Sequence, residues 1–371
     1  MSESSKQKVR YAVVGAGNIA QVAVLPAFAH AAENSELVAV ISGDPVKREM
    51  LPEKFDVPHT GTYDEFEAVL ERAAVDAVYI ATPNSQHRGF TERAARRGVH
   101  VLCEKPMAPT VADCEAMIAA CSAAGVRLMI AYRLHFEAAN LEALALVRSG
   151  RIGEPRIFSS VFTMQVRPGD IRTRHDTRGG ALYDLGVYPI NAARHLFGGE
   201  PREVLGVVSH TGDVRFDGVD EMTTAVLRFS SGQVAQFTVG LSTSSTSSYR
   251  VIGTEGDLHV EPAFDYVTAL KHRLTVEGTT REQEFARRDQ FAPELLHFSR
   301  CVLEGREPEP SGEEGLADVR IVEAVLQSAA THRPVALEAF ARARGPGREQ
   351  EIQRPPVGEQ EPIHAPSPSL R

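Results

Sequence analysis

Short, nearly continuous apolar runs alternate with longer amphipathic segments along the first third of the chain. The apolar runs predict parallel strands, since strands covered by helices on both faces are buried on both sides. They lie at Val9 to Val14, Leu37 to Ile41, Ala77 to Ala81, Val99 to Cys103 and Arg127 to Ala131. The segments between them predict helices at Asn18 to Ala32, Glu65 to Ala73, Arg88 to Arg97 and Val111 to Ala124. We therefore expect residues 1–131 to form an α/β domain with a doubly wound parallel sheet.

The pattern changes after Tyr132. A helix is predicted from about Ala138 to Ser149, and strand-like stretches follow it, separated by turn signals such as Ser231-Gly232. The stretches are Pro155 to Val166, Glu203 to Ser209, Thr223 to Phe229, Gln233 to Leu241, Tyr249 to Gly253 and Leu258 to Glu261. Such short turns are typical of antiparallel hairpins. Helical patterns return at Ala292 to Glu304 and Glu313 to Ala330, so residues 132–340 predict an α+β domain on a mostly antiparallel sheet.

The last part of the chain differs from the rest in composition. From Ala341 to Arg371 it is rich in proline, glycine and charged residues and has few large apolar ones. Such a segment buries too little apolar surface to offset the conformational entropy that it loses on ordering. We therefore predict a flexible tail over residues 341–371.

Composition and charge exclude several classes of protein. The 371 residues include 40 basic and 49 acidic side chains, for a net charge of −9, and no long basic run favours nucleic-acid binding. The four cysteines and thirteen histidines lack the spacing of a metal site, so no metal is predicted. The apolar run Val9 to Val14 is too short to span a membrane, and no secretory signal precedes it. We expect a cytoplasmic protein that is not bound to a membrane.

A glycine-rich turn joins the first predicted strand to the first predicted helix. Its G-x-G-x-x-A pattern places Gly15 at the tight turn, Gly17 where the backbone must approach a pyrophosphate, and Ala20 where the helix packs on the strand. The helix start at Asn18 and Ile19 would then face the phosphate charge. The position of this turn predicts a dinucleotide-binding Rossmann domain, although a purely structural glycine turn remains the alternative.

The end of the second predicted strand decides which dinucleotide binds. An acidic residue there would bind the ribose hydroxyls of NAD, but this chain has Ser42 at that position. Lys47 and Arg48 follow closely and favour a 2′-phosphate, so NADP is predicted over NAD. Asp44 lies two residues after Ser42 and argues the other way, and the two basic residues could also be a solvated helix start.

Two further segments follow the strands that end at Ala81 and Cys103, at the sheet edge where ligands bind in open α/β folds. They read Ala81-Thr82-Pro83-Asn84-Ser85-Gln86-His87 and Cys103-Glu104-Lys105-Pro106. With the glycine turn, they resemble the glucose-fructose oxidoreductase and inositol dehydrogenase (Gfo/Idh/MocA) family, in which an E-K-P tripeptide supplies the catalytic lysine. The positions implied for the cofactor, beyond the turn and the second strand, are Thr82, Pro83, Asn84, His87, Glu104, Lys105 and Arg133.

The resemblance extends from about Tyr11 to Leu337 and is closest to the glucose-fructose oxidoreductase branch. It includes Tyr132-Arg133 with His135, and Gly312-Glu313-Glu314-Gly315. The family implies a C-terminal domain built on a large, open sheet that commonly mediates assembly into homodimers or homotetramers. It also implies a pocket between the two domains for a small sugar or polyol.

The segment Gly179 to Tyr188 carries the second half of the implied site. If a helix begins near Gly180, Asp184 and Tyr188 lie four residues apart and share one face. Most of the family carries histidine where Tyr188 stands, whereas the glucose-fructose branch carries tyrosine. Pro189 removes a helix donor and predicts a kink.

Oxidising a sugar hydroxyl by hydride transfer requires a base that takes the hydroxyl proton. We assign Tyr188 as the general acid/base, Lys105 as the cation that stabilises its phenolate and binds the reacting oxygen, and Asp184 as the orienting carboxylate. The candidate substrate contacts are Lys105, Arg133, Asp184, Tyr188 and Asn191.

Each of these residues also has a structural interpretation. Lys105 could be a surface lysine, Asp184 a helix-start charge and Tyr188 a core aromatic. Arg133, His135 and Asn191 are weaker candidates for sugar contacts, with a structural role equally expected. The basic loop Arg167 to Arg178 could close over a substrate, but a solvated surface loop is slightly favoured.

The leading functional prediction is an NADP-dependent oxidoreductase of a cyclic sugar or polyol, most simply one that oxidises an aldose at C1 to the lactone. A variant of it couples oxidation of one sugar to reduction of another while NADP stays bound. The periplasmic enzyme of that branch carries an N-terminal arm over its cofactor, whereas this chain enters its first strand almost at once. The alternative is a non-catalytic dinucleotide-binding regulator, because the fold also serves that purpose.

Overall fold

The structure is a computed structural model that describes residues 7–341 and 345–370. Within them, the first domain contains a six-stranded parallel sheet in the order β3-β2-β1-β4-β5-β6. Its strands are β1 (Val9–Val14), β2 (Ser35–Ile41), β3 (His59–Gly61), β4 (Ala77–Ile80), β5 (His100–Glu104) and β6 (Leu128–Ala131). The predicted doubly wound sheet is confirmed, and all five predicted strands are present.

Helices cover both faces of this sheet. After β1 the chain forms one π turn (Ala20–Val24), α1 (Leu25–Ala27) and a 3₁₀ turn (Phe28–His30), followed by α2 (Pro45–Phe55), α3 (Phe66–Arg72), α4 (His87–Arg96) and α5 (Val111–Ala123). The hydrophobic pattern did not predict α2, in which Leu51 is the one fully buried apolar side chain. Its helical start comes from Asp44, whose carboxylate accepts hydrogen bonds from the backbone N–H groups of Val46 and Lys47 at 2.9 and 3.3 Å.

The second domain contains a nine-stranded sheet within the described residues, in the order β14-β13-β12-β11-β7-β10-β9-β8-β15. The strands are β7 (Pro155–Gln165), β8 (Pro201–Ser209), β9 (Met222–Phe229), β10 (Val234–Gly240), β11 (Ser242–Gly253), β12 (Gly256–Val260), β13 (Leu270–Val276), β14 (Thr279–Phe285) and β15 (Val335–Ala336). The β7 and β10 strands pair in parallel and the other neighbours are antiparallel, as predicted. Strand β14 was not predicted because most of its side chains are exposed and polar, so it lacks the alternating pattern.

Four longer helices complete the chain: α6 (Ala138–Arg148), α7 (Val187–Phe197), α8 (Ala292–Glu304) and α9 (Gly312–Thr331). Short 3₁₀ and π turns lie at Asn84–Gln86, Arg133–His135, Ile171–Thr173, Leu182–Gly186, Val214–Phe216 and Arg348–Gln350. Helices α7 and α9 pack on one face of the second sheet and share its apolar core.

In one respect the structure differs from the predicted division at residue 131. Helix α8 follows the second sheet in sequence but packs on the first one, where the Ser299 hydroxyl lies 2.7 Å from the hydroxyl oxygens of both Tyr11 and Ser35. Its apolar side chains Leu295 and Phe298 are fully buried in the core of the first domain. Residues 132–340 therefore do not pack as one separate unit.

The terminal segment also differs from the flexible tail that composition predicted. Residues 345–370 lie against both domains, with Ile352 and Ile363 packed on the core of the first one. The Arg354 guanidinium donates to the His30 carbonyl oxygen at 2.9 Å and also binds Glu33. Residues 342–344 and 371 of the predicted tail lie outside the described residues. Composition indicates how much apolar surface a segment can bury, but this segment docks largely through peptide groups and charged side chains.

Candidate active site

The glycine turn has the geometry that a pyrophosphate requires. Gly15 has φ of +92°, and a Cβ there would lie 2.6 Å from the Ala81 carbonyl oxygen, so only glycine fits between β1 and β4. A Cβ at Gly17 would meet no atom within 4 Å, which leaves open space above the backbone. The chain then enters the helical segment at Ile19 and Ala20. The turn therefore fits a dinucleotide phosphate at a helix start.

The residues after β2 include the serine and the two basic side chains predicted to select NADP. Ser42 is buried, and its carbonyl oxygen accepts a hydrogen bond of 2.7 Å from the Arg48 guanidinium. Asp44, which argued against NADP, has its carboxylate engaged as the N-cap of α2. Burial lowers the pKa of Lys47, with Asp44 opposing the shift. Lys47 and Arg48 thus lie on the first turn of α2, beside the buried serine.

In the segment after β4, Thr82, Pro83 and Asn84 remain candidates for cofactor contacts, whereas His87 does not. The Thr82 hydroxyl is buried and has no hydrogen-bond partner among the described residues, as expected of a group that awaits a ligand. Pro83 precedes a 3₁₀ turn, and the Asn84 amide donates to the Arg178 carbonyl oxygen at 3.0 Å. His87 is fully buried, with Nε2 2.9 Å from the Thr82 carbonyl oxygen and Nδ1 3.0 Å from that of Pro106. The predicted cofactor contact of the His87 side chain is therefore wrong, because the ring instead connects the loops after β4 and β5.

Glu104 also differs from its predicted role. Its carboxylate accepts a hydrogen bond of 2.9 Å from the Tyr79 hydroxyl inside the first domain. Burial raises the pKa of Glu104, with Lys105 opposing the shift. The carboxylate also accepts a hydrogen bond of 3.2 Å from the Lys105 N–H and so supports the loop that carries Lys105. The E-K-P tripeptide alone does not indicate which of its side chains face the ligand.

Lys105, Asp184 and Tyr188 come together across the two domains. The Lys105 Nζ lies 3.0 Å from the Asp184 carbonyl oxygen, 3.5 Å from Asp184 Oδ1 and 4.7 Å from the centre of the Tyr188 ring. Asp184 lies in the π turn Leu182–Gly186 and Tyr188 in the first turn of α7. The wide turn accommodates Pro189, which has no N–H to bond to the turn before it. The juxtaposition of these three side chains matches the predicted constellation.

A residue that was not singled out completes this arrangement. The Arg172 Nε donates to Asp184 Oδ2 at 2.6 Å, and the Arg172 guanidinium also binds Asp170. The preferred interpretation of its loop as solvated surface is therefore wrong at Arg172. The loop turns back at Gly180, which has φ of +115°, and the Gly180 N–H donates to the Arg172 carbonyl oxygen at 2.8 Å. A Cβ at Gly180 would collide with Asp220. Four basic residues just before a catalytic segment were the available signal, but nothing indicated which one turns inward.

The charges of the site stabilise one another. Burial alone would raise the pKa of Asp184, but the nearby Arg172 and Lys105 cations outweigh it and lower the pKa to about 2. Burial likewise opposes the charge of Lys105, yet Tyr188 and Asp184 raise its pKa above the usual value. Asp184 is therefore a carboxylate and Lys105 an ammonium at neutral pH.

The Tyr188 ring is held on several sides. Phe162 contacts it edge-on with ring centres 5.4 Å apart, and Phe264 lies 5.7 Å away. Arg133 donates to the Tyr188 hydroxyl at 3.3 Å and is fixed by the Phe264 carbonyl oxygen and by the Gln290 side chain. Arg133 was predicted to contact the cofactor and the substrate, and the structure places its guanidinium against the Tyr188 hydroxyl.

Asn191 and His135 belong to a buried polar cluster behind the site. The Asn191 amide donates to Glu314 at 2.9 Å and Asp318 at 3.0 Å, while its oxygen lies 2.9 Å from His135 Nε2. Both hydrogens of the amide are thus engaged, whereas its oxygen can accept one more hydrogen bond, so the substrate contact of Asn191 stays a prediction. Ligand atoms of His135, His195 and Glu314 lie within 4.8 Å of one another, but the Arg194 guanidinium binds Glu314 at 2.7 Å and already supplies the positive charge there.

Comparison with known proteins agrees with this geometry. The model described as the oxidoreductase family with an NAD-binding Rossmann fold matches residues 9–132, and the GFO/IDH/MocA C-terminal domain matches residues 140–259. D-xylose 1-dehydrogenase [NADP(+)] of Haloarcula marismortui is 34% identical over 337 residues, 89% of this chain and 93% of that protein. This chain belongs to the GFO/IDH/MocA oxidoreductase family.

Solved structures of similar proteins share the fold over most of this chain. An aldose-aldose oxidoreductase from Caulobacter crescentus, complexed with glycerol, is 42% identical with a TM-score of 0.85, and the match covers 89% of this chain and 100% of that one. KijD10, a 3-ketoreductase from Actinomadura kijaniata in complex with NADP and TDP-benzene, is 31% identical with a TM-score of 0.80, covering 87% and 98%. Among the described helices of this chain, none is long and apolar enough to cross a membrane.

Proposed function

We propose that this family member is an NADP-dependent oxidoreductase of cyclic sugars or polyols, and that its simplest reaction is oxidation of an aldose at C1 to the lactone. The observation that carries the proposal is the contact of Lys105 with Asp184 and with the ring of Tyr188, at the same sheet edge as the glycine turn. The two relatives named as a NADP(+)-dependent xylose dehydrogenase and an aldose-aldose oxidoreductase support it.

The proposed cofactor site comprises backbone and side-chain groups on three loops. Gly15, Gly17, Asn18 and Ile19 would bind the pyrophosphate, while Ser42, Lys47 and Arg48 would bind the 2′-phosphate. Thr82, Pro83 and Asn84 would line the path toward the nicotinamide. When bound, NADP supplies a hydride acceptor at C4 of the nicotinamide.

Proton transfer is assigned to Tyr188. Its hydroxyl would take the proton of the sugar C1 hydroxyl as the hydride leaves that carbon, and it would return the proton in the reverse reaction. The Lys105 ammonium, 4.7 Å from the ring centre, stabilises the phenolate and is placed to bind the reacting oxygen. Arg133 adds a second positive charge at the same oxygen, with a 3.3 Å contact.

Asp184 is assigned as an orienting group and not as the base. Its pKa of about 2 makes it a poor proton acceptor at neutral pH, because Arg172 and Lys105 hold it in the charged form. Two fixed partners, Arg172 at 2.6 Å and Lys105 at 3.5 Å, also leave its carboxylate little freedom. Asp184 would therefore fix the Lys105 ammonium above Tyr188.

The open face of the second sheet supports assembly into homo-oligomers, as expected for the family. Exposed large apolar side chains lie on three strands of this sheet, with β9 between β10 and β8: Ile157 and Val161 on β7, Val234 on β10, and Leu205 and Val207 on β8. Exposed apolar groups that cluster in this way mark interaction surfaces. We propose a dimer or tetramer through this face.

Incubation of the purified protein with NADP and a panel of aldoses tests the proposed function. We expect NADPH formation with at least one aldose, and at least tenfold tighter binding of NADP than of NAD, about 1.4 kcal/mol or more. We expect the preference for NADP because Ser42 offers no carboxylate to the ribose, while Lys47 and Arg48 offer positive charge to the 2′-phosphate. Absorbance of the reduced cofactor follows turnover, and titration calorimetry measures both affinities.

Ser42→Asp provides the matched control, since it introduces the carboxylate that binds ribose hydroxyls and repels a 2′-phosphate. The preference should then shift toward NAD. Equal affinity of the unaltered protein for the two cofactors would contradict the cofactor assignment, and failure of every aldose in the panel would contradict the proposed oxidation of an aldose.

A further inference from the structure

The end of the terminal segment crosses the glycine turn. The Gln21 side-chain amide donates to the Ile363 carbonyl oxygen at 2.9 Å and accepts from the Ile363 N–H at 2.7 Å, so it pairs with both polar groups of one residue. The Asn18 amide donates to the Ala365 carbonyl oxygen at 2.9 Å. These contacts place residues 363–365 directly against the turn that is proposed to hold the pyrophosphate.

The same segment is then fixed to the second domain. The Arg167 N–H donates to the Pro368 carbonyl oxygen at 2.8 Å, and the Leu370 N–H donates to the Gln165 carbonyl oxygen at 2.8 Å. Val166 and Ser369 form an antiparallel bridge at the end of β7. Residues 363–370 therefore connect the first domain to the second with defined hydrogen bonds at both ends.

The terminal segment contacts the first domain through buried side chains with defined hydrogen bonds. Gln21 is fully buried, and its amide also donates to the Ala16 carbonyl oxygen at 2.9 Å, which orients it toward the segment. Ala365 is only 6% exposed. Leaving a buried amide without these partners would cost free energy, so the folded first domain favours the docked segment.

The segment also reaches the other end of the proposed cofactor site. His364 Nδ1 lies 3.2 Å from Asp44 Oδ2, at the N-cap of the helix that carries Lys47 and Arg48. One short stretch of chain thus touches both the pyrophosphate turn and the residues after β2. Its contacts use side chains of Asn18, Gln21 and Asp44, while the open space above Gly17 stays available for a ligand.

We propose that residues 363–370 are a clasp that closes over bound NADP and controls its release. The inference rests on the proposed function only in requiring NADP at the glycine turn. Residues 363–370 bridge the two domains across this edge and must detach before the dinucleotide can leave. Cofactor release is therefore slower than from a protein without these residues. Slow release is the property that a coupled reaction between two sugars needs, because the reduced cofactor must stay bound until the second sugar arrives.

A truncation after Glu361 tests the clasp and retains the contacts of Arg354 with the first domain. The NADPH dissociation rate is measured by stopped flow, with the fluorescence of the reduced nicotinamide as the signal and excess NADP as the displacing ligand. We expect dissociation at least tenfold faster than from the full chain. Ile363→Pro should give a smaller increase, because it removes the N–H that binds Gln21 and the side chain that packs on the first domain but keeps the contacts of residues 364–370.

Gln360→Ala is the control, since its side chain donates to the Gly358 carbonyl oxygen, outside residues 363–370, and it should leave the rate unchanged. Equal dissociation rates for the full chain, the truncation and Ile363→Pro would overturn the clasp while leaving NADP binding intact. Faster association with an unchanged dissociation rate would also overturn it, because the segment would then obstruct entry. If the full chain binds no NADPH at all, the proposed function and the clasp both fail.

Discussion

Tyr188→Phe should lower turnover of an accepted aldose by about a hundredfold to ten-thousandfold, the usual contribution of a general acid/base group. The substitution removes the oxygen that is proposed to take the substrate proton, while the ring keeps its packing against Phe162 and Phe264. NADP affinity should change little, since the cofactor contacts lie on other loops. Steady-state rates and calorimetric titration with NADP measure the two quantities separately.

Lys105→Met gives the matching change on the neighbouring side chain and should lower turnover as well. Because Lys105 and Tyr188 are proposed to serve the same proton transfer, the effects of the two substitutions should not add in the double variant. Near-normal turnover of Tyr188→Phe would mean that the base lies elsewhere, with Asp184 and then His135 as the next candidates.

Arg194→Met should destabilise the protein by about 3 to 5 kcal/mol, because it leaves buried carboxylates without their cation. The Arg194 guanidinium is fully buried and binds Glu314 at 2.7 Å, Asp318 at 2.5 Å and Glu200 at 2.6 Å. Methionine preserves much of the side-chain length but supplies no donor. Urea unfolding followed by circular dichroism measures the change in the free energy of unfolding.

The control is Arg156→Met, in the same domain but at an exposed ion pair with Glu154, where a loss of about 0 to 1 kcal/mol is expected. The Arg194 effect should also depend on pH. Burial would raise the pKa of Glu314, but Arg194 and then His195 hold it well below its usual value. A carboxyl with a depressed pKa contributes stability above its unfolded pKa and loses it as the pH falls. The difference in the free energy of unfolding between the unaltered protein and Arg194→Met should therefore narrow below about pH 4. A difference that is small at neutral pH would contradict the role of Arg194.

The parts of the site that the sequence predicted are those with a local pattern. The glycine turn is visible because a positive φ at Gly15 and an open backbone at Gly17 demand particular residues at fixed spacing. Asp184 and Tyr188 could be assigned to one helix face because they are four residues apart. Their approach to Lys105, 79 residues earlier than Asp184, followed from the family resemblance and not from any local signal.

The parts that could not be predicted depend on tertiary contacts. His87 and Asn191 have the chemistry of ligand-binding residues, but burial commits His87 to backbone carbonyls and the amide hydrogens of Asn191 to Glu314 and Asp318. Arg172 resembles the other basic residues of its loop until the fold turns it toward Asp184. The terminal segment has the composition of a disordered tail and docks through hydrogen bonds to partners such as Gln21, more than three hundred residues away.

The central claim is that a hydride passes from aldose C1 to NADP while Tyr188 takes the hydroxyl proton. The most direct test uses an aldose from the panel that carries deuterium at C1, with the reduced cofactor analysed by proton NMR. We expect one deuterium at C4 of the nicotinamide per sugar oxidised, together with a slower rate than for the protium sugar. Turnover that leaves the deuterium on the sugar or releases it to water would contradict hydride transfer from C1.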